Sequence, residues 1–244
     1  MAGWYDQLLE RPDTYQAKVI LPKLLRLLPP KGQRIIDIGC GQGFFSRAYA
    51  ERGADVLGVD ISKELIAKAR QYKNTKARFV VAVADNIRVA KDASFDGALL
   101  VLALQNIKEL SATLKEAARV LVDRGCLAIV LNHPCLRVPR LSSWGFDSAR
   151  AVQYRRIDRY GAPFALKIDM TPGTQKSANK IYTLCYHRPL QDYSKALAAA
   201  GFVVSELQEW HSHKTSKPGP RAKAENIARA EFPLFMALLA RKQK

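Results

Sequence analysis

The run Asp37-Ile38-Gly39-Cys40-Gly41-Gln42-Gly43 constrains this chain more than any other segment. Three spaced glycines stand directly behind a short β-branched stretch, Arg34-Ile35-Ile36-Asp37-Ile38. Lacking a Cβ, they accept positive φ and let the backbone turn sharply and come close to a ligand. Residues 44–52 then have helical composition and stop at Gly53, so the segment predicts strand, tight loop and helix in that order. A dinucleotide loop is spaced G-x-G-x-x-G, and Phe44 occupies the place of its third glycine. The spacing argues against NAD and for a ligand without a pyrophosphate.

The alternation continues along the chain. Strand patterns at 55–59, 77–83, 95–102 and 126–131 are interleaved with helical ones at 63–72 and 109–122, and an amphipathic helix at 14–28 precedes them. Such an order predicts right-handed βαβ units and a buried parallel sheet. The run Ala98-Leu99-Leu100-Val101-Leu102 suits a strand covered on both faces. From 133 to 187 the regularity lapses, and long irregular stretches in compact domains are usually functional. Within it 165–170 and 180–186 have strand composition around a Thr-Pro-Gly turn, which predicts a hairpin. A helix at 190–200, strands at 202–209 and 232–241 and a helix at 222–230 complete the expectation. One domain over 1–244 follows, divided into an N-terminal helical segment (1–33), a ligand-binding core (34–132), an insert lying over the strand ends (133–187) and a C-terminal part with a basic link (188–244).

Charge is concentrated. The chain carries +17, and residues 134–182 and 210–244 hold +12 of it. Anionic partners are favoured: phosphate esters, carboxylates, nucleic acid or an anionic membrane surface. The four cysteines show no CxxC spacing, no leader pattern opens the chain, and no eighteen consecutive apolar residues occur. A reduced, cytoplasmic protein without a membrane span is expected.

The acid-and-glycine loop resembles the first motif of class I S-adenosylmethionine-dependent methyltransferases, in the small-molecule pattern known as methyltransferase type 11. The resemblance is specific over about 14–132 and looser from His187-Arg188-Pro189-Leu190 to Gly201-Phe202. It implies an α/β Rossmann-like fold, a seven-stranded, mostly parallel sheet flanked by helices with an insert after the fifth strand. The implied cofactor is S-adenosyl-L-methionine. Asp37 then helps hold the ammonium of its methionine moiety, and Gly39, Cys40, Gly41 and Gly43 form the loop beside it. Asp60, seventeen residues beyond Gly43, takes the ribose hydroxyls, with Ile61 on the adenine face. Asp85 and Asn86 meet the adenine edge, and Leu100 and Gln105, within and just after the fourth strand, complete the set. Asp96, at that strand's start, is read as structural.

Methyl transfer needs alignment and only sometimes a base. His133, immediately after the fifth strand, and His187 are the catalytic candidates. Tyr154, Arg155, Arg156, Arg159 and Tyr160 alternate aromatics with guanidinium groups, as phosphate or carboxylate recognition and base stacking both require, and Arg188 is placed with them on the acceptor side. His211 and His213 lack an evident third ligand, so no metal is expected. Cys135 follows Pro134, but the Pro-Cys pair of RNA cytosine-C5 methyltransferases follows the fourth strand, so Cys135 is read as packing. Three functions stay open: methylation of a small anionic or amphiphilic acceptor; methylation of RNA through the basic segments; and binding of cofactor or nucleic acid without catalysis.

Overall fold

The computed structural model describes residues 13–72, 76–169 and 182–244. The chain enters through a π-helical turn, Gln16–Ile20, that runs into α1 (Leu21–Leu27). Pro22, which has no N–H to give, sits at this junction, where a break in the i→i−4 ladder is expected. The core alternation follows: β1 (Arg34–Ile38), α2 (Phe44–Ala50), β2 (Asp55–Asp60), α3 (Lys63–Ala69), β3 (Ala77–Val81), β4 (Phe95–Val101), α4 (Leu110–Val120) and β5 (Leu121–Asn132). Helix α3 starts at a Ser62 cap, whose Oγ accepts the Leu65 N–H at 3.2 Å. In α4 the buried residues Leu110, Thr113, Leu114, Ala117 and Val120 fall at helical spacing, so one face packs on the sheet.

Beyond β5 come two hairpins, β6 (Ser142–Asp147) with β7 (Val152–Ile157), and β8 (Phe164–Asp169) with β9 (Tyr182–His187). Helix α5 (Leu190–Ala199), β10 (Phe202–Trp210), α6 (Ala222–Glu231) and β11 (Phe235–Lys242) end the fold. The second hairpin was expected from the sequence, although its Thr-Pro-Gly turn lies outside the described residues. The first was not expected. Its strands carry charge and aromatics on both faces and no turn dipeptide of the usual kind, so neither period nor punctuation marks them.

The main sheet runs β3-β2-β1-β4-β5-β11-β10, parallel through β5 and antiparallel at β11 and β10. Successive residues of its central strands point to opposite faces. Ile36, Ala98, Leu100, Ile129 and Leu238 meet α4 and α5 on one face; Ile35, Leu99, Val130 and Leu239 meet α1 and α2 on the other. Strand β5 begins five residues before the predicted start. The ladder to β4 breaks after Phe95↔Leu121 and resumes at Gly97↔Cys126, the residue where the sequence pattern first shows.

Strand order reverses between β1 and β4: the chain winds outward to β2 and β3 on one side and to β5 on the other. In an open α/β sheet the crevice beyond the carboxyl ends at that reversal is where ligands bind. The glycine loop leaves β1 there. At the opposite edge Arg34 holds Asp96 at 2.6 Å, so Asp96 is structural, as expected. No helix among the described residues is long and apolar enough to cross a membrane.

Candidate functional site

Gly39, Gly41 and Gly43 adopt φ of +75°, +57° and +82°. Each lies in the left-handed region that disfavours a side chain. The loop is also packed: a Cβ at Gly39 would stand 2.5 Å from the Ala103 Cβ, and one at Gly43 2.5 Å from the Phe79 ring. Gly41 is different, because a Cβ there would meet nothing within 4 Å. It faces open space at the crevice. The Gly39 and Cys40 N–H groups both donate to the Val59 carbonyl, at 2.8 and 3.0 Å, which seats the loop on β2. Cys40 packs beneath the loop toward Gly58, and burial pushes its thiol well above the ordinary range.

Asp60 ends β2 and spans two backbone donors. Its Oδ2 accepts the Gly41 N–H at 2.9 Å and its Oδ1 the Ser62 N–H at 2.8 Å. A carboxylate has about four lone-pair sites, so two acceptor positions remain for hydroxyls. Ile61, immediately after, is 71% exposed, a large apolar side chain uncovered beside the loop. Asp37 is buried, and the Ser46 hydroxyl donates to its Oδ2 at 2.6 Å. Burial raises its pKa from 3.8 to about 7, the neighbouring Asp60 charge adding to the rise while the Ser46 hydrogen bond opposes it.

Asp85 and Asn86 are exposed on the turn after β3, at the same edge. That turn is held by a network the sequence reading missed. Glu116 accepts the Ile87 N–H at 2.6 Å, and Arg119 binds Glu116 at 2.7 Å, Asp92, and the carbonyls of Ile87 and Ala90 at 3.2 and 3.1 Å. Only the acid three residues before Arg119 hinted at it. Gln105 lies in a 3-10 turn, Leu104–Asn106, after β4, donates to the Leu102 carbonyl at 2.9 Å, and leaves its Oε1 buried with no partner among the described residues.

These residues fit S-adenosylmethionine. The ammonium of its methionine part needs acceptors, and the buried Gln105 Oε1 and the Asp37 carboxyl would supply them. Its adenosine needs a carboxylate for the ribose and an apolar surface for the ring, as Asp60 and Ile61 offer, with the open space at Gly41 between.

Other expectations need correction. Leu100 is fully buried among Leu114, Leu127 and Ile129, so it is a core residue with no surface for a ligand. His133 is buried and both ring nitrogens are taken: Nδ1 accepts the Cys135 N–H at 3.3 Å, so Nε2 carries the proton and donates to Glu209 at 2.7 Å. It pins the turn after β5 to β10 and is not placed to serve as a base. His187 is also buried; its Nε2 donates to the Tyr160 carbonyl at 2.7 Å, and its ring lies 5.0 Å from Phe164. That orients the second hairpin.

The acceptor-side cluster is dispersed by strand geometry. On β7 Tyr154 and Arg156 face solvent, whereas Arg155 points the other way, donating to the Leu136 carbonyl at 2.9 Å and lying 5.0 Å from the Trp144 ring. Arg156 pairs with Asp158, and Arg159 sits over Phe164. The Tyr160 hydroxyl oxygen accepts the Leu190 N–H at 2.9 Å, capping α5. Arg188 clamps the turn after β4, donating to the carbonyls of Leu104, Ile107 and Lys108 at 3.4, 2.8 and 2.7 Å. It fixes the turn that carries Gln105.

Fold and site together define a class I methyltransferase architecture. Residues 36–129 match the family model for a methyltransferase domain. An S-adenosylmethionine-dependent methyltransferase structure from Mesorhizobium loti is similar at a TM-score of 0.70 and 27% identity, over 91% of this chain and 96% of that one. Demethylmenaquinone methyltransferase of Tropheryma whipplei (strain Twist) is 33% identical over 104 residues, 42% of this chain and 44% of the relative. Malonyl-[acyl-carrier protein] O-methyltransferase of Pectobacterium atrosepticum is 32% identical over 128 residues, 52% and 48% of the two. The chain spans about half the length of these curated relatives. Residues 36–129 thus carry a methyltransferase domain, in a fold shared with S-adenosylmethionine-dependent methyltransferases.

Proposed function

We propose that the protein transfers a methyl group from S-adenosylmethionine to a small anionic or amphiphilic acceptor by in-line displacement. The observation that carries this reading is the convergence at one sheet edge of the left-handed glycine loop, Asp60, the uncovered Ile61 and the unpartnered Gln105 Oε1. When bound, the cofactor supplies a methyl carbon already activated by a sulfonium. Asp37 and Gln105 would hold the ammonium, Asp60 the ribose, Ile61 the adenine face, and Asp85 and Asn86 its edge. Arg188 and Arg119 fix the two turns that carry these groups, so the chain's main contribution is alignment.

The histidines bear on the acceptor class. His133 and His187 are committed to Glu209 and to the Tyr160 carbonyl, which suits an acceptor whose attacking atom is already anionic or acidic enough to ionise unaided. The relatives named for demethylmenaquinone and malonyl-[acyl-carrier protein] support acceptors outside nucleic acid. The β8–β9 hairpin, packed against the 3-10 turn that carries Gln105, is the acceptor-side lid in this reading. Incubation with methyl-labelled cofactor and a fractionated cell extract tests it: label should enter the organic-soluble or small-anion fractions. Label confined to RNA or protein contradicts the acceptor class, and no label in any fraction, with the cofactor bound, contradicts catalysis.

A further inference from the structure

The two segments that hold most of the positive charge are far apart in sequence and meet in space. Helix α6 packs against β7, and between them lies a cleft of about 320 Å³. Trp144, Phe146 and Gln153 of the first hairpin form one wall; Arg221, Glu225 and Arg229 form the other. It continues along 215–222 into a second hollow of about 550 Å³. Neither contains a residue of the cofactor site. Both are built by segments that leave or enter the sheet at the edge that carries the glycine loop, because β11 is antiparallel to β5 and its start pairs with the end of β5, Phe235 opposite Asn132.

Rings and guanidinium groups are interleaved here. Arg221 lies 4.6 Å from the Phe146 ring centre and Arg155 5.0 Å from that of Trp144, which is 41% exposed although it makes a T-shaped contact with Phe232 at 5.3 Å. Arg150 and Arg156 have carboxylate partners nearby in Asp147 and Asp158, whereas Lys217, Arg221 and Lys223 form no ion pair with any described residue. We propose that this cleft binds a nucleotide unit, with its base against Trp144 and Phe146 and its phosphate on Arg221 and Lys217. Glu225 discriminates among anions: a bare phosphate or a carboxylate would be repelled by it, whereas a base presents N–H donors that it and the Gln153 amide can meet. Exposed aromatics with adjacent guanidinium groups are the means by which single-stranded nucleic acid is held, the ring stacking and the charge tracking the backbone. The same chemistry is presented by a free nucleotide and by an RNA strand.

The test is made on the full chain with S-adenosylhomocysteine present at saturation, so that the crevice at the glycine loop is filled. Binding of uridine monophosphate is followed by calorimetry and that of a fluorescein-labelled oligouridylate by anisotropy. At least one should bind, and oligouridylate binding should weaken steeply with salt. Binding of both assigns the cleft to nucleotides generally, and binding of the oligomer alone assigns it to RNA. Trp144→Ala and Arg221→Gln should each weaken binding about tenfold, the scale of losing one stacked base or one phosphate contact. Lys31→Gln, exposed on the opposite edge, should change it less than about twofold. Arg221→Gln keeps the test decisive if the tryptophan variant folds poorly. The inference is overturned if neither probe binds, if Arg221→Gln binds as tightly as the parent, or if Lys31→Gln is as damaging, which would mean a diffuse charge effect. The S-adenosylhomocysteine affinity of each variant is read separately, so failure here is distinct from failure of the methyl-transfer reading.

Discussion

Asp37 occupies an unusual position for an acid: buried, one hydroxyl donor attached, and with its pKa raised to about 7. Because the folded value lies above the ordinary 3.8, the folded chain keeps a proton that the unfolded chain has lost between those two values. Its contribution to stability is therefore fully present below the lower value and is lost as pH rises to about 7. A cationic ammonium beside it favours the ionised form. Binding of S-adenosylhomocysteine should then release close to one proton at pH about 6 and almost none at pH about 8.5, and Asp37→Asn should abolish the release. Calorimetry in buffers of different ionisation enthalpy measures this directly; equal proton release at both pH values would mean that Asp37 does not meet the ammonium. His133 teaches the complementary lesson. Its place after β5 marks it as a candidate base, but a single residue cannot announce that Glu209, far along the chain, will take its Nε2.

At the scale of elements the glycine loop separates two requirements. Gly43→Ala combines a left-handed backbone, about 1–2 kcal/mol, with overpacking against the buried Phe79 ring, about 1–3 kcal/mol, and should lower the denaturation midpoint markedly. Gly41→Ala meets only the backbone term, since the space beyond it is open, yet it should weaken cofactor binding because the new methyl group enters that space. Equal losses of stability and unchanged affinity in both would place the ligand elsewhere. The loop, β1, β2 and Asp60 were legible because their chemistry is local: backbone φ, a β-branched run, an acid at a strand end. The insert was less so. Alternation along β7 sends Arg155 and Arg156 to opposite faces, and the β6–β7 hairpin has no clean period to read. Leu100 was misread for a related reason: β4 is apolar on both faces, so its sequence does not say which residue reaches the crevice.

At the scale of the whole molecule, the described residues are organised on a seven-stranded sheet whose reversal point lies between β1 and β4, with the candidate cofactor residues at its carboxyl edge there and the cationic cleft built on the β6–β7 hairpin. This division was half visible in the sequence, as mild charge in the core and +12 in two segments, but that those segments meet follows only from the antiparallel return of β11. A methyl-transfer role requires that the crevice hold S-adenosylmethionine. Titration calorimetry of the parent chain and of Asp60→Ala with S-adenosylhomocysteine and with NAD tests it most directly. The parent should bind the homocysteine compound and not NAD, and the variant, still folded, should lose about 1.5–3 kcal/mol of that affinity, the scale of hydrogen bonds to a charged group. Tight binding of NAD, or a folded Asp60→Ala that binds S-adenosylhomocysteine as well as the parent does, would contradict it.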